Sequence, residues 1–130
     1  MELPADLRRF YELCGGADLF VGDDFECRVV PPSEFLPANR VILGEEFPDD
    51  RSDSWFVVTS TPEEPLAVID LDESRRGRCY DAFHESYGVA GSMPVIADSF
   101  TNLLVSLLSN AGRHWYWLQP EWISLGDAYD

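Results

Sequence analysis

The run Asp70-Leu71-Asp72-Glu73 is the group of side chains in this sequence best placed for catalysis. Alternate residues of an extended chain point the same way, and paired carboxylates at a strand end bind magnesium in phosphoryl-transfer sites. No glycine-rich phosphate cradle, lysine or nucleophile-bearing motif accompanies them. The run therefore reads as a strand entering a solvated, charged turn, and a metal-dependent enzyme using Asp70 and Asp72 is kept as a remote alternative. His84 beside Glu85, or with Cys79, has the composition of a base and nucleophile pair. A reactive thiolate needs positive surroundings, which an acidic chain does not offer, so His84 reads as structural. His114 reads as a surface residue or part of an aromatic cluster. Two histidines and three scattered cysteines lack zinc-ligand spacing. No catalytic residue, metal or cofactor is expected.

Charge is the dominant compositional feature. There are 24 acids against 9 bases, all of them arginine, for a formal net charge of -15. Such a surface repels nucleic acid and anionic membranes and attracts basic proteins. The acids gather in loops. Glu45, Glu46, Asp49, Asp50 and Asp53 share one segment, Glu63 and Glu64 share a second, and Asp23 and Asp24 share a third. Arrays of this kind resemble the charge pattern of nucleic acid and steer a basic partner. The first two groups, seven residues in all, are the expected partner-binding residues. Cys14, Cys27 and Cys79 suggest no disulfide framework, and the N-terminus has neither the basic nor the apolar region of a signal peptide. The longest apolar patch, 103–108, is far short of a membrane span. A cytoplasmic protein is expected, and its length fits a single domain over 1–130.

The elements that must position these groups centre on a hairpin over 55–71. Its two β-rich runs flank a six-residue break, Ser60 to Pro65, and are continuous rather than alternating, so both faces should be covered. Apolar residues at helical spacing predict a helix over 4–14, with Pro4 at its start and Gly15-Gly16 as a left-handed stop. Residues 18–21 and 25–30 predict a small hairpin. Ser33 should cap a single turn, and 40–43 reads as a brief strand or an irregular crossing. Residues 44–54 read as surface loop, 79–83 as a third central strand and 93–97 as an extended approach. Asp98 or Ser99 caps a second helix whose stripe is Phe100, Leu103, Leu104, Leu107 and Leu108. The aromatic tail, with Trp115, Tyr116, Trp117 and Trp122, should pack as an edge strand or a wrap. Helices flanking consecutive short strands make an α+β pattern, with a central, largely antiparallel sheet between an N-terminal and a C-terminal helix.

In order and spacing the chain resembles the SUKH superfamily. The resemblance is carried by Leu3-Pro4 leading to Phe10-Tyr11 and Gly15-Gly16, by Pro31-Pro32-Ser33-Glu34-Phe35, by Trp55-Phe56 and Val68-Ile69-Asp70-Leu71, and by Ala97-Asp98-Ser99-Phe100 leading to Leu103-Leu104. Ser60 to Pro65 stands where members often have a glycine-rich turn. The resemblance implies an α+β SUKH-like domain without enzymatic activity, and for bacterial members an immunity protein that neutralises a polymorphic toxin, often a basic nuclease. A regulatory adaptor binding host partners through the same surface is the alternative. Oligomeric state is left open.

Overall fold

Among the described residues six short strands form one antiparallel sheet in simple sequential order, β1 to β6. They are β1 (Ala17–Leu19), β2 (Cys27–Val29), β3 (Trp55–Ser60), β4 (Pro65–Asp70), β5 (Cys79–Asp81) and β6 (Val95–Ala97). The α-helices that accompany them are α1 (Ala5–Leu13), α2 (Ala38–Leu43) and α3 (Phe100–Asn110). The computed structural model describes residues 2–130.

The hairpin of β3 and β4 is the centre of the sheet, and Trp55 pairs with Asp70 at one end and Ser60 with Pro65 at the other. The connection is four residues, not six, because Ser60 and Pro65 still belong to the ladder. Pro65 can open β4 because the first position of a strand tolerates a missing N–H. Thr61 closes the turn. Its amide donates to the Glu64 carbonyl at 2.8 Å, and its Oγ1 accepts from the amides of Glu63 and Glu64.

Both faces of these strands are covered, as their unbroken apolar runs require. Val58, Ile69, Cys79 and Ala97 face α1, α3 and Trp117, where Leu7, Phe100, Leu103 and Leu107 meet them. Trp55, Val57, Val68 and Tyr80 project to the other side, against Ala38 of α2, Tyr87, Met93 and Ala128. The two-residue period of the strand divides the run Val57-Val58 between the two cores, and Val68-Ile69 likewise.

The helix ends follow local chemistry with one correction, at the end of α1. Ser99 caps α3, its side chain accepting from the Asn102 amide at 3.0 Å. Asp6, in the first turn of α1, accepts from both the amide and the hydroxyl of Thr101 at 2.8 Å, tying α1 to the start of α3. The end of α1 is not a glycine stop: Cys14 is extended there, with φ −155°. Gly16 is needed for another reason. Its φ is +129°, and a Cβ at that position would lie 2.9 Å from the carbonyl oxygen of Val29 across the β1–β2 pair. Gly16→Ala is expected to destabilise the fold by about 1–3 kcal/mol, while Gly15→Ala, with open space around it, stays within roughly 0.5 kcal/mol. Urea unfolding of the two variants side by side checks this.

Residues 40–43 are neither strand nor crossing but the body of α2, which follows Pro37 and ends at Gly44 in the left-handed conformation. Ser33 caps nothing; it lies inside the 3-10 turn Pro32–Glu34. The segment 44–54 is loop only to Asp50 and then forms the 3-10 turn Arg51–Ser54, with Ser52 and Ser54 buried. The extended approach at 93–97 becomes strand β6 in the sheet. The aromatic tail wraps. Tyr116 forms part of a 3-10 turn, its hydroxyl donating to the Ile96 carbonyl at 2.6 Å, and Asp127 makes an isolated bridge to Pro94. Among the described residues no helix is long and apolar enough to cross a membrane.

Candidate functional site

The antiparallel register separates the acids that the sequence places in two loops. Asp50 and Asp53 precede β3, whereas Glu63 and Glu64 stand beyond its other end, about 17 Å away along a six-residue strand. At the first end, Trp55 pairs with Asp70, so the turn after β4 lies beside the turn before β3. Asp50, Asp53, Asp72 and Glu73 therefore line one cleft of about 420 Å³, with Arg51 and Arg76 among them. Sequence reading missed the membership of Asp72 and Glu73 in this group. The pairing of the hairpin's ends was the signal that would have found it.

The seven expected partner-binding residues differ in what holds them. Glu46 pairs with Arg40, and Glu64 lies 3.5 Å from the His84 imidazole. Asp50 accepts from the Ser52 hydroxyl at 2.6 Å, the Ser52 amide at 3.0 Å and the Tyr129 hydroxyl at 3.1 Å. These bonds, the Ser52 hydroxyl first, hold its pKa below the ordinary carboxylate value. Asp50 is thus the cap of the Arg51–Ser54 turn. No cation lies within ion-pair distance of Glu45, Asp49, Asp53 or Glu63 among the described residues, and all four are exposed. These four are the free charges of the set.

Asp70 does not lie in a solvated turn. It is fully buried. One carboxylate oxygen accepts from the Ser54 hydroxyl at 2.6 Å and the Asp72 amide at 3.0 Å. The other accepts from the Tyr80 hydroxyl at 2.5 Å and the Arg75 Nε at 2.9 Å. Four protein donors occupy both oxygens, so Asp70 has no lone pair directed at a metal. Asp72 turns the other way, to the amide and hydroxyl of Ser74 and to Arg75. Burial, followed by the hydrogen bond to Asp70, pushes the Tyr80 phenol well above its ordinary pKa. Within the predicted charged turn Glu73 and Ser74 are exposed, Asp72, Arg75, Arg76 and Arg78 are half-buried, and Gly77 is buried.

The nucleophile candidates are inert by environment. Cys79 is fully buried between the sheet and α3, and burial raises its pKa strongly. Cys27 is pushed up to about 11 by burial and then by Glu26. His84 is exposed on the far side of β5's exit and faces Glu64 rather than a thiol.

A sequential antiparallel sheet between an N-terminal and a C-terminal helix, with acids at both ends of its central hairpin, now stands beside the sequence comparisons. The model of the family described as SMI1 / KNR4 family (SUKH-1) matches residues 1–106. The chain belongs to this family. It is also 46% identical, over 129 residues, to a protein of Bacillus subtilis (strain 168) called Immunity protein YokJ, a match spanning 99% of this chain and 78% of that one. No solved structure matches it.

Proposed function

We propose that this chain is a cytoplasmic, non-enzymatic immunity protein that binds a toxin of its own producer and neutralises it stoichiometrically. The observation that carries the reading is the 46% identity to an immunity protein along nearly the whole chain. The electrostatics support a basic toxin as the partner. A chain with 24 acids and 9 arginines attracts a protein whose own surface is positive, as that of a nuclease must be to hold phosphate. Glu45, Asp49, Asp53 and Glu63 supply the uncompensated charge that draws the partner in. Glu46, Asp50 and Glu64 add to the same field while serving local contacts. The four donors on Asp70 favour scaffold over chemistry at the strand end.

The test is co-expression with the toxin encoded beside this chain's gene. Growth should be restored, and the two proteins should elute together in a 1:1 complex. Persistent toxicity with no complex in gel filtration would overturn the proposal, and a gene with no toxin neighbour would favour an adaptor role.

A further inference from the structure

The strand ends opposite the Asp53 cleft, at the start of β4 and the close of β5, carry a depression that sequence reading did not find. Glu64, Asp81, Phe83, Trp115, Trp117 and Leu118 are among its walls, and it encloses about 300 Å³. Residues 64, 81 and 115–118 are far apart in the chain. The β4–β5 pairing and the wrap of the tail across that end of the sheet bring them together.

Its chemistry is unusual for this surface. Trp115 and Trp117 stack in parallel, with ring centroids 5.8 Å apart and an angle of 8° between planes. Phe83 and Leu118 stand exposed at the mouth, at 44% and 54% of their full accessibility. Among these aromatic and aliphatic groups sits the half-buried carboxylate of Asp81. One of its oxygens accepts from the Phe83 amide at 3.1 Å. The Trp117 indole N–H is near enough to lower its pKa but closes no hydrogen bond of ordinary geometry. No cationic group lies within ion-pair distance of Asp81 among the described residues, whereas Glu64 lies 3.5 Å from the His84 imidazole and His114 is a further wall residue. Burial raises the pKa of Asp81 above its ordinary value, and the nearby Glu64 adds to that rise. A carboxylate kept in apolar surroundings without a counter-charge weakens the fold that holds it.

We propose that this depression receives an arginine side chain presented by the partner protein. The proposal rests on the immunity reading and adds the anchor to it. A guanidinium stacks on indole faces, its fork meets a carboxylate through two hydrogen bonds, and its weak hydration makes entry into an apolar cleft cheap. Lysine offers a strongly hydrated point charge and matches the planar walls less well. Phe83 and Leu118 would close over the aliphatic stem and exclude water, which is how a central anchor residue gains most of its affinity. The free acids elsewhere speed encounter, and this site holds what arrives.

The probe is ethylguanidinium chloride, titrated into the 15N-labelled protein and followed at the tryptophan indole signals. Sodium chloride at equal ionic strength and ethylammonium chloride are the controls. Saturable shifts of Trp115 and Trp117 with ethylguanidinium, at least fivefold weaker with ethylammonium and lost in Asp81→Asn, are expected. Shifts matched by sodium chloride, or retained in Asp81→Asn, would overturn the proposal. Asp81→Asn keeps the acceptor for the Phe83 amide and removes the uncompensated charge, so its Tm at pH 7 should be at or above that of the native protein. Its binding to the neighbouring toxin should weaken at least tenfold. Unchanged toxin binding by Asp81→Asn sinks the anchor and leaves the immunity reading standing. Absence of any toxin binding by the native protein, with a saturable guanidinium titration, sinks the immunity reading and upholds the site's chemistry.

Discussion

Asp70→Ala should lose about 3–5 kcal/mol of unfolding free energy, a large part of the 5–15 kcal/mol that holds a domain of this kind together. The reason is what the substitution leaves behind. Tyr80 is fully buried, and its hydroxyl is held by Asp70 at 2.5 Å. Ser54 is buried and donates to the same carboxylate. Arg75 loses the partner of its Nε, although its side chain is near enough to the surface to swing toward Asp72. Buried donors without acceptors cost more than the bonds contributed when made. Asp70 also pins three segments at once: the Arg51–Ser54 turn, the end of β4, and β5 through Tyr80. The loss should therefore be shared. Tyr80→Phe on the Asp70→Ala background should cost much less than Tyr80→Phe alone, and the difference is the coupling of the pair. Urea unfolding of the two single variants and the double variant measures it. A loss under about 1 kcal/mol for Asp70→Ala would refute the hub.

Neutralising the four free acids together, with Glu45→Gln, Asp49→Asn, Asp53→Asn and Glu63→Gln, should slow association with the toxin about tenfold or more at low salt. The change takes the net charge from -15 to -11, since each substitution removes one negative charge. Among the described residues the four side chains have no ion-pair partner and all are exposed, so the fold should be nearly indifferent to their loss. Dissociation should change little, because the charges act at a distance and rim charges govern encounter more than residence. The effect should shrink steeply toward 0.5 M salt, where the screening length falls to a few ångströms. Asp50→Asn behaves differently: it loosens the cap on the Arg51–Ser54 turn and so registers as lost stability more than as slower binding. Stopped-flow mixing with the toxin at two ionic strengths separates these cases. An on-rate at low salt unchanged by the quadruple substitution would rule out steering by these loops.

Much of this architecture was legible in the chain. The helix of residues 100–110 could be read because its stripe repeats at helical spacing and a serine stands before it. The hairpin of β3 and β4 could be read because its β-branched runs are bounded by prolines, and its coverage on both faces because those runs do not alternate. These features depend on residues within a few positions of each other, where covalent geometry alone dictates the outcome. The segment 40–43 was misread for the converse reason. Its apolar content, Val41-Ile42-Leu43, suits a strand as well as a helix, and packing of Ala38 and Ile42 against the second core decides between them.

The sequence by itself determined a strongly acidic chain, a central, largely antiparallel sheet between an N-terminal and a C-terminal helix, and a resemblance to a family with that order of elements. The tertiary structure alone decided which acids are free and which are tied, and turned Asp70 from the most catalytic-looking residue into a fully buried support. It also placed Asp81 beside Trp115 and Trp117. Whether a carboxylate is a ligand, a strut or an anchor depends on the donors and dielectric around it, and for Asp70 and Asp81 these include Ser54, Tyr80, Trp115 and Trp117, groups from distant segments that only packing brings into reach.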